Sequence, residues 1–264
     1  MHLKDARVIV TGASSGIGRA IAVEFADRGA SVVLAARRAQ EIAELAEQIA
    51  TKGGSAIAIP TDVTEEGAPD RLAQETIARL GRIDLLVNNA GIGLHAAIAD
   101  ASSRDVEALF RLNVLAAAAM IRAVIPTMRA QRSGMVINIS SVAGRIAIPR
   151  IGYYSASKFA LTVLGEALRL EEGHRGIRVM NVFPGTTRSN FGDNRLGDRG
   201  RAPHQRIPAV PAEKVARRIA LAVERNRKSV YVSLIPDRMG VAINHVASWA
   251  VAGVLQRWAR RGEA

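Results

Sequence analysis

The sequence predicts an α/β fold, a doubly wound parallel sheet with helices on both faces, built as a single domain from residues 1–264. Three observations lead to this fold class. Short β-rich runs alternate with longer helical segments along the chain. Several of the runs, such as SVVLAA (31–36), are continuously apolar, as expected for strands that are buried on both faces. A glycine-rich segment, TGASSGIG (11–18), joins the first strand to the first helix.

The elements follow one another in a regular order. Strands are expected at 7–10, 31–36, 56–60, 83–89, 135–140 and 177–183. Helices are expected at 18–28, 39–51, 67–80, 103–132 and 154–173. The Gly-, Pro- and Arg-rich segment 185–211 has weak periodicity, and we expect a long loop there that acts as a flap over the substrate. An apolar helix is expected at 239–262.

The composition excludes several classes of site. The chain has no cysteine, so disulfides and thiolate metal sites are excluded. Its five histidines are scattered, with no HExxH sequence and no pair four residues apart, so we predict no metal site. The N-terminal residues do not resemble a secretory signal, and no run approaches the roughly 20 apolar residues of a membrane span. We therefore expect a cytoplasmic protein.

The formal net charge of +12 is concentrated late in the chain: from Asn181 onward there are 15 Lys and Arg against 6 Asp and Glu. A solvated arginine-rich surface, acidic lipid, an acidic substrate and nucleic acid are the open interpretations. Only five Phe and three Tyr are present, and they do not alternate with basic residues. We therefore do not expect a nucleic-acid platform built on base stacking.

The glycine-rich turn predicts a dinucleotide site. Glycine permits positive φ and a close approach of the backbone, so a pyrophosphate can lie at the helix N-terminus, where free N–H groups favour anions. The spacing is GxxxGxG instead of GxGxxG, and no GK[ST] follows, which excludes a nucleotide-triphosphatase loop. A tight turn without a ligand is the alternative interpretation.

The order of further motifs resembles the short-chain dehydrogenase/reductase family. After the turn come TDV with Asp62, NNAG (88–91), LNV with Asn113, SSVAG (140–144), YSASK (154–158) and Pro184–Gly185. The resemblance covers residues 7 to about 190. It implies a Rossmann-type fold and hydride transfer between a nicotinamide dinucleotide and a carbonyl or alcohol. The cofactor-binding residues that it implies are Gly12, Ser14, Ser15, Gly16, Ile17, Gly18, Arg37, Arg38, Asp62, Val63, Asn89, Ala90, Gly91, Tyr154, Lys158, Pro184, Gly185, Thr187 and Ser189.

Helical spacing distinguishes the two adjacent tyrosines. Lys158 follows Tyr154 by four residues and Tyr153 by five, and only the first spacing shares a helix face. The lysine charge and the helix dipole should both lower the pKa of Tyr154 from about 10. Tyr154 is therefore the predicted acid–base residue, and the family pattern YxxxK selects the same tyrosine. Tyr153 becomes a neighbour of the site.

The remaining catalytic residues are implied by the resemblance. Ser141, the second serine of SSVAG, would hydrogen-bond the substrate oxygen, whereas Ser140 is expected to be structural. Asn113 lies in an apolar helical run, where its amide disfavours regular helix, and the family uses the matching residue in a water relay to the lysine. Thr187 and Ser189 resemble the segment that meets the nicotinamide carboxamide.

The end of the second strand predicts NADP(H) in preference to NAD. An NAD-binding fold places an acid about 20 residues beyond the glycines, where it bonds the ribose 2′-hydroxyl. Ala36 stands at that position here, followed by Arg37 and Arg38. A guanidinium can hold a 2′-phosphate with two hydrogen bonds, and we expect Arg37 to be the main contact.

Several alternatives stay open. A family member that binds the dinucleotide as a sensor or scaffold is one, although the complete Ser141, Tyr154, Lys158 set favours an enzyme. Family members pair through helices that match 103–132 and 154–173, so a homodimer or homotetramer is expected. In the C-terminal segment, apolar residues recur at helical spacing, namely Ile243, Val246, Ala250, Val254 and Trp258.

Three positions for this apolar helix are compatible with the sequence. It packs over the substrate pocket or a partner subunit, it lies in a membrane interface, or it does both. Packing against protein is favoured, because an exposed patch of this size is rare. Together with Ile146, Ile148 and Ile151 near the active-site loop, it suggests a largely apolar carbonyl substrate.

Overall fold

The computed structural model describes residues 1–189, 191–192, 194–198 and 209–261, with side chains described except at 235–238, 245, 250 and 258–261. The strands are β1 (Arg7–Thr11), β2 (Ser31–Ala36), β3 (Ser55–Pro60), β4 (Leu85–Asn88), β5 (Leu94–His95), β6 (Gly134–Ile139), β7 (Ile177–Pro184), β8 (Thr187–Arg188), β9 (Leu196–Gly197), β10 (Val210–Pro211) and β11 (Ser229–Val232). The α-helices are α1 (Gly16–Asp27), α2 (Ala39–Thr51), α3 (Ala68–Leu80), α4 (Ser103–Phe110), α5 (Ala117–Gln131), α6 (Gly152–Glu172), α7 (Ala212–Glu224), α8 (Ile235–Val246) and α9 (Ser248–Arg261).

A seven-stranded parallel sheet forms the centre, in the order β11-β7-β6-β4-β1-β2-β3. Helices cover both faces, so the predicted fold class, a Rossmann-type sheet in a single domain, is confirmed. On one face, Phe25 of α1, Leu45 of α2 and Ile219 of α7 pack in one buried cluster. On the other face, Leu72 of α3, Val124 of α5 and Leu168 of α6 belong to a second. The strands are continuously apolar because each faces both clusters.

The strand order reverses between β1 and β4. From β1 the chain runs outward through β2 and β3, and it then returns to β4 and continues outward on the other side. The helices that follow β1 and β4 therefore diverge and leave a crevice at the carboxyl ends of these strands, which is where open α/β sheets bind ligands. Thr11 ends β1 and Asn88 ends β4, so the glycine-rich turn and the NNAG segment border the same crevice.

The helical run expected at 103–132 is not regular. It consists of α4, a π-helical segment at Arg111–Ala116 and α5. Asn113 lies in the π-helical segment, where the sequence predicts an irregularity. By length and composition Ser103–Gln131 is apolar enough to cross a bilayer, but Met120, Val124 and Met128 are buried against the sheet, as in a core helix.

The C-terminal third differs from the sequence-based expectations in several elements. The helix α7 was not predicted. The edge strand β11 was not foreseen, because SVYV (229–232) is short and half-exposed. The single helix expected at 239–262 is wrong: two helices, α8 and α9, meet at Ala247, whose backbone is not helical (φ −144°, ψ 60°). The apolar spacing continues through the break without a Gly or Pro, so periodicity could not locate it.

The predicted flap at 185–211 lies partly outside the described residues. Its described parts form three short strands. β8 pairs with β10, and β9 pairs with β5 just after the NNAG segment. The β9–β5 pair therefore attaches the segment beside NNAG, whereas the β8–β10 pair joins the two ends of the segment to each other.

Candidate active site

The glycine-rich turn is held in place by Thr11 and Asn89. The hydroxyl of Thr11 accepts hydrogen bonds from the main-chain N–H groups of Asn89 and Ala90, at 3.0 and 3.1 Å. The Asn89 amide donates to the carbonyl oxygens of Thr11 and Gly12, at 2.9 and 3.1 Å. These bonds tie the end of β1 to the NNAG segment across the crevice.

Two glycines of this turn need positive φ. Gly12 has φ +65° and Gly16 has φ +55°, a region that favours glycine. A Cβ on Gly18 would lie 2.3 Å from Nδ2 of Asn89, so no side chain fits between the helix start and NNAG. A Cβ on Gly16 would meet Cβ of Ser189 at 3.1 Å, which brings the segment after β7 opposite the N-terminus of α1.

The arginines at the end of β2 differ in their contacts. The Arg38 guanidinium donates to the hydroxyls of Ser14 and Ser15, at 2.8 and 3.0 Å, and pairs with Glu41 at 2.9 Å. The side chain of Arg37 is 74% exposed and forms an ion pair with Asp62, at 3.8 Å. Asp62 itself accepts from the N–H and hydroxyl of Thr64. Both arginines thus lie beside the glycine-rich turn.

The structure separates the two tyrosines as the helical spacing predicts. The hydroxyl of Tyr153 donates to the carbonyl oxygen of Ile98, at 3.3 Å. Tyr154 hydrogen-bonds Ser141, and its ring centroid lies 5.9 Å from Nζ of Lys158. Ser141, Tyr154 and Lys158 therefore form one cluster, at the end of β6 and in the first turns of α6.

The buried Lys158 is fixed by its hydrogen bonds. Its Nζ donates to the carbonyl oxygen of Ile139, at 3.0 Å, and its own carbonyl accepts from the hydroxyl of Ser140, also at 3.0 Å. A Cβ on Gly91 would lie 3.3 Å from this Nζ, so the last residue of NNAG leaves room beside the ammonium. Burial lowers the pKa of Lys158 to about 8.

The pKa of Tyr154 moves against the sequence-based expectation. Burial of its hydroxyl raises this pKa to about 12, while the hydrogen bond with Ser141 acts in the opposite direction. The expected decrease in the pKa of Tyr154 is wrong, because removing water from the phenolate costs more free energy than the neighbouring groups supply by stabilising it. At neutral pH Tyr154 is a neutral phenol, which is the form that can donate a proton.

Asn113 is buried behind the catalytic cluster. Its Oδ1 accepts from the N–H of Ile92 at 2.8 Å, and its Nδ2 donates to the carbonyl of Ile92 and to the hydroxyl of Ser157. A Cβ on Gly91 would lie 3.1 Å from Oδ1 of Asn113, so Asn113 and Lys158 flank the same glycine. The side chain therefore fixes the NNAG loop against α6.

The remaining predicted residues line the crevice or its walls. Val63 is buried in the core beside the Asp62 loop, and Ile17 packs against the core from α1. Gly185 follows β7 and donates its N–H to Val232, and the Thr187 hydroxyl donates to Gly185 at 3.0 Å. The Tyr154 ring lies 5.9 Å from the ring of Phe191, in a tilted arrangement.

Sequence reasoning missed several residues of the site. Thr11, Ile139 and Phe191 act through long-range contacts. Thr11 contributes a hydroxyl that is buried under NNAG, and Ile139 contributes its main-chain carbonyl. The sequence did contain a signal for Thr11, since a hydroxyl residue directly before the glycines can bind loop N–H groups. It contained none for the other two residues. Within the part of the chain that the structure describes, no group of three His, Cys, Asp or Glu could hold a metal ion.

Comparisons with known proteins agree with this geometry. A profile of the family described as short chain dehydrogenase matches residues 6–199. An uncharacterised oxidoreductase of Listeria monocytogenes is 38% identical over 186 residues, 70% of this chain and 75% of that protein. A short chain dehydrogenase/reductase from Burkholderia phymatum, solved in complex with NAD, has a TM-score of 0.84 at 26% identity, covering 93% of this chain and 94% of that one. A metagenomic short-chain oxidoreductase, solved with NADP, has a TM-score of 0.75 at 31% identity, covering 88% and 99%.

Proposed function

Because this chain belongs to the short-chain dehydrogenase/reductase family, we propose that it is an oxidoreductase that uses NADP(H) and acts on a largely apolar ketone or secondary alcohol. The observation that carries the proposal is the cluster of Ser141, Tyr154 and Lys158. A half-buried neutral phenol, hydrogen-bonded to a hydroxyl and with its ring 5.9 Å from an ammonium, is a proton donor prepared for a carbonyl oxygen.

The residues around the crevice fit a dinucleotide. Gly16 leaves open the space between the N-terminus of α1 and Ser189, which a side chain would fill, and the Ser15 side chain makes no capping bond there. The first N–H groups of α1 would bind the pyrophosphate, and Lys158 the nicotinamide ribose. NADPH, when bound, supplies the hydride.

The protein's own residues handle the oxygen and its proton. Ser141 holds the carbonyl oxygen by a hydrogen bond, and Tyr154 donates its proton to that oxygen as negative charge develops on it. The Lys158 ammonium stabilises the resulting phenolate. In the reverse direction, the Tyr154 phenolate takes the proton from the alcohol. Ser141 and Tyr154 already hydrogen-bond each other, so the two groups converge on one point.

The preference for NADP(H) rests on the end of β2. Ala36 presents no carboxylate to repel a 2′-phosphate. Arg38 is engaged with Ser14, Ser15 and Glu41, whereas Arg37 is exposed and, among the described residues, contacts Asp62 in a 3.8 Å ion pair. Arg37 is therefore the guanidinium free to hold the phosphate. Related structures contain NAD in one case and NADP in another, so the arginines carry this part of the proposal.

The apolar character of the substrate rests on the walls beside Tyr154. The Phe191 ring packs against Tyr154 from the segment after β8, and Ile98 is exposed nearby, where Gly152 leaves it room. α8 contacts the turn Val142–Gly144 that follows Ser141. An apolar ketone would bury hydrocarbon against these walls while its oxygen reaches Ser141 and Tyr154.

Self-association belongs to the same proposal. On α6, Phe159, Val163 and Leu170 recur at spacings of four and seven residues and are exposed, and Leu115 is exposed on the neighbouring π-helical segment. One chain leaves this face uncovered. We propose that a homodimer or homotetramer covers it.

The pair of tyrosines provides the test of the reaction. Tyr154→Phe should abolish reduction of a panel of apolar ketones with NADPH and leave NADPH binding intact, because only the proton donor is lost. Tyr153→Phe is the matched control, since its hydroxyl bonds Ile98 instead, and it should change turnover little. Turnover and cofactor fluorescence titration measure the two effects. Full activity in Tyr154→Phe would overturn the proposal.

A further inference from the structure

The last two helices leave an apolar surface exposed. On α8, Met239, Ile243 and Val246 recur at spacings of four and three residues, so they lie on one face, and all are exposed. Trp249 and Val254 of α9 are exposed as well. Val246 and Trp249, on either side of the break at Ala247, are 82% and 80% exposed. These five residues form the C-terminal apolar surface.

Packing against the rest of the chain uses other residues. Nδ2 of Asn244 donates to the carbonyl oxygen of Arg145, at 3.3 Å, which fastens α8 to the active-site loop. α9 packs on α8. The favoured expectation was that the apolar face packs against protein, but the contact that fastens α8 is polar, and the residues of the C-terminal apolar surface are exposed in the single chain. Five large exposed apolar side chains within sixteen residues, one of them a tryptophan, indicate an interaction site.

The surrounding charges indicate which partner covers this surface. No acidic residue lies between Asp237 and Glu263, whereas Arg257, Arg260 and Arg261 lie in the last turns of α9. A second copy of this chain would bring more arginines to the contact, and the whole chain already carries +12. Anionic headgroups would instead neutralise the arginines, and tryptophan favours the boundary between headgroups and hydrocarbon.

We propose that α8 and α9 bind the surface of an anionic lipid bilayer. The C-terminal apolar surface enters the headgroup boundary, and the positive charge that the arginine residues give to the end of α9 attracts the anionic lipid. The break at Ala247 lets both helices lie on the bilayer while Asn244 stays fastened to the active-site loop. This inference does not depend on the reaction or the cofactor.

The test is co-sedimentation of the full chain with vesicles of phosphatidylcholine alone or mixed with phosphatidylglycerol. The wild type should sediment with the mixed vesicles and much less with the neutral ones, and added salt should weaken binding. The double variant Val246→Ser/Trp249→Ser should lose about tenfold or more in partitioning, because two large apolar groups no longer leave water. Leu164→Ser is the matched control: this leucine is exposed on α6 on a different side of the helix from Phe159, Val163 and Leu170, and its replacement should leave vesicle binding unchanged.

Thermal unfolding and turnover of a water-soluble ketone, both at wild-type levels, establish that the double variant is folded. The proposal is overturned if the wild type does not sediment with anionic vesicles, or if the double variant sediments as well as the wild type. It is also overturned if Leu164→Ser lowers sedimentation equally. Finally, a lower mass of the double variant by light scattering without lipid would assign the surface to a contact between chains instead.

Discussion

The hydroxyl of Ser140 donates to the main-chain carbonyl oxygen of Lys158, at 3.0 Å, and so ties the end of β6 to the helix that carries Tyr154, the predicted catalytic tyrosine. The hydroxyl of Thr162 donates to the same carbonyl, at 2.8 Å. Of the two neighbours of Ser140, Ile139 accepts a hydrogen bond from Nζ of Lys158, and Ser141 is hydrogen-bonded to Tyr154. Three consecutive residues thus set the position of α6, and only one of them belongs to the predicted catalytic set.

Ser140 is therefore expected to be a positioning residue. Ser140→Ala removes one of the two hydroxyls that fix the Lys158 peptide, and it should lower kcat about tenfold, a loss of about 1.4 kcal/mol in transition-state stabilisation, while KM for NADPH changes little. The free energy of unfolding should fall by about 1 kcal/mol. Steady-state kinetics and denaturant unfolding measure the two effects.

Ser155 supplies the control for this variant. It is buried in the same helix, and among the described residues its hydroxyl has no hydrogen-bond partner. Ser155→Ala should therefore leave both kcat and stability near the wild-type values. Equal losses in the two variants would show that replacing any buried serine close to Tyr154 and Lys158 has this effect, and the positioning role of Ser140 would be wrong.

Arg37 should determine the cofactor preference. Arg37→Ala should raise KM for NADPH at least about tenfold and leave KM for NADH almost unchanged, because a charged contact to the 2′-phosphate is lost. Arg38→Ala should affect both cofactors, since it releases Ser14 and Ser15 of the glycine-rich turn. Equal catalytic efficiency of the wild type with NADH and NADPH would contradict the preference itself.

Glu172 should make stability depend on pH in the acid range. Its carboxylate is bound by Arg129 and Arg175, and these hydrogen bonds hold its pKa at about 2. Because this pKa is lower in the folded state than in the unfolded state, the carboxylate contributes stability that is complete above about pH 4.5 and is lost as the pH falls toward 2. Glu172→Gln should therefore cost about 1–3 kcal/mol at pH 7, and the difference from the wild type should vanish near pH 2.

The exposed pair Glu107–Arg111 is the control for that experiment. It joins residues four apart on a helix surface, at 2.8 Å. Glu107→Gln should change the free energy of unfolding by less than about 0.5 kcal/mol at any pH. Urea unfolding at a series of pH values gives both comparisons, and a pH-independent loss in Glu172→Gln would contradict the assignment of the acid dependence to this carboxylate.

Val163 tests self-association. It is exposed at the centre of the apolar face of α6, between Phe159 and Leu170. Val163→Glu should convert the homodimer or homotetramer into smaller species at micromolar concentration, because it places a charge in an apolar contact. Light scattering measures the mass. A monomeric wild type would refute the proposed assembly, and an unchanged mass in the variant would place the contact elsewhere.

Local spacing was sufficient for part of this molecule. The alternation of apolar runs with helical segments determined the sheet, and the four-residue interval between Tyr154 and Lys158 distinguished the two tyrosines. Both conclusions depend on geometry within one element, where the pitch of a helix or the pleat of a strand fixes which side chains share a face. The glycines of the first turn belong to the same class, since their positive φ values are a local property of the backbone.

Tertiary structure decided the rest, because burial and long-range hydrogen bonds depend on segments far apart in sequence. The pKa of Tyr154 rises because its hydroxyl is enclosed, whereas the sequence showed only the nearby lysine and the helix start. Thr11 meets Asn89, and Ser140 meets Lys158, only once the strands are in register. The break at Ala247 is similar. In the sequence the apolar residues recur at helical spacing through this position, and only the fold shows that the helix ends there. The fold also shows that one side of α8 is fastened to the active-site loop while its apolar side is exposed.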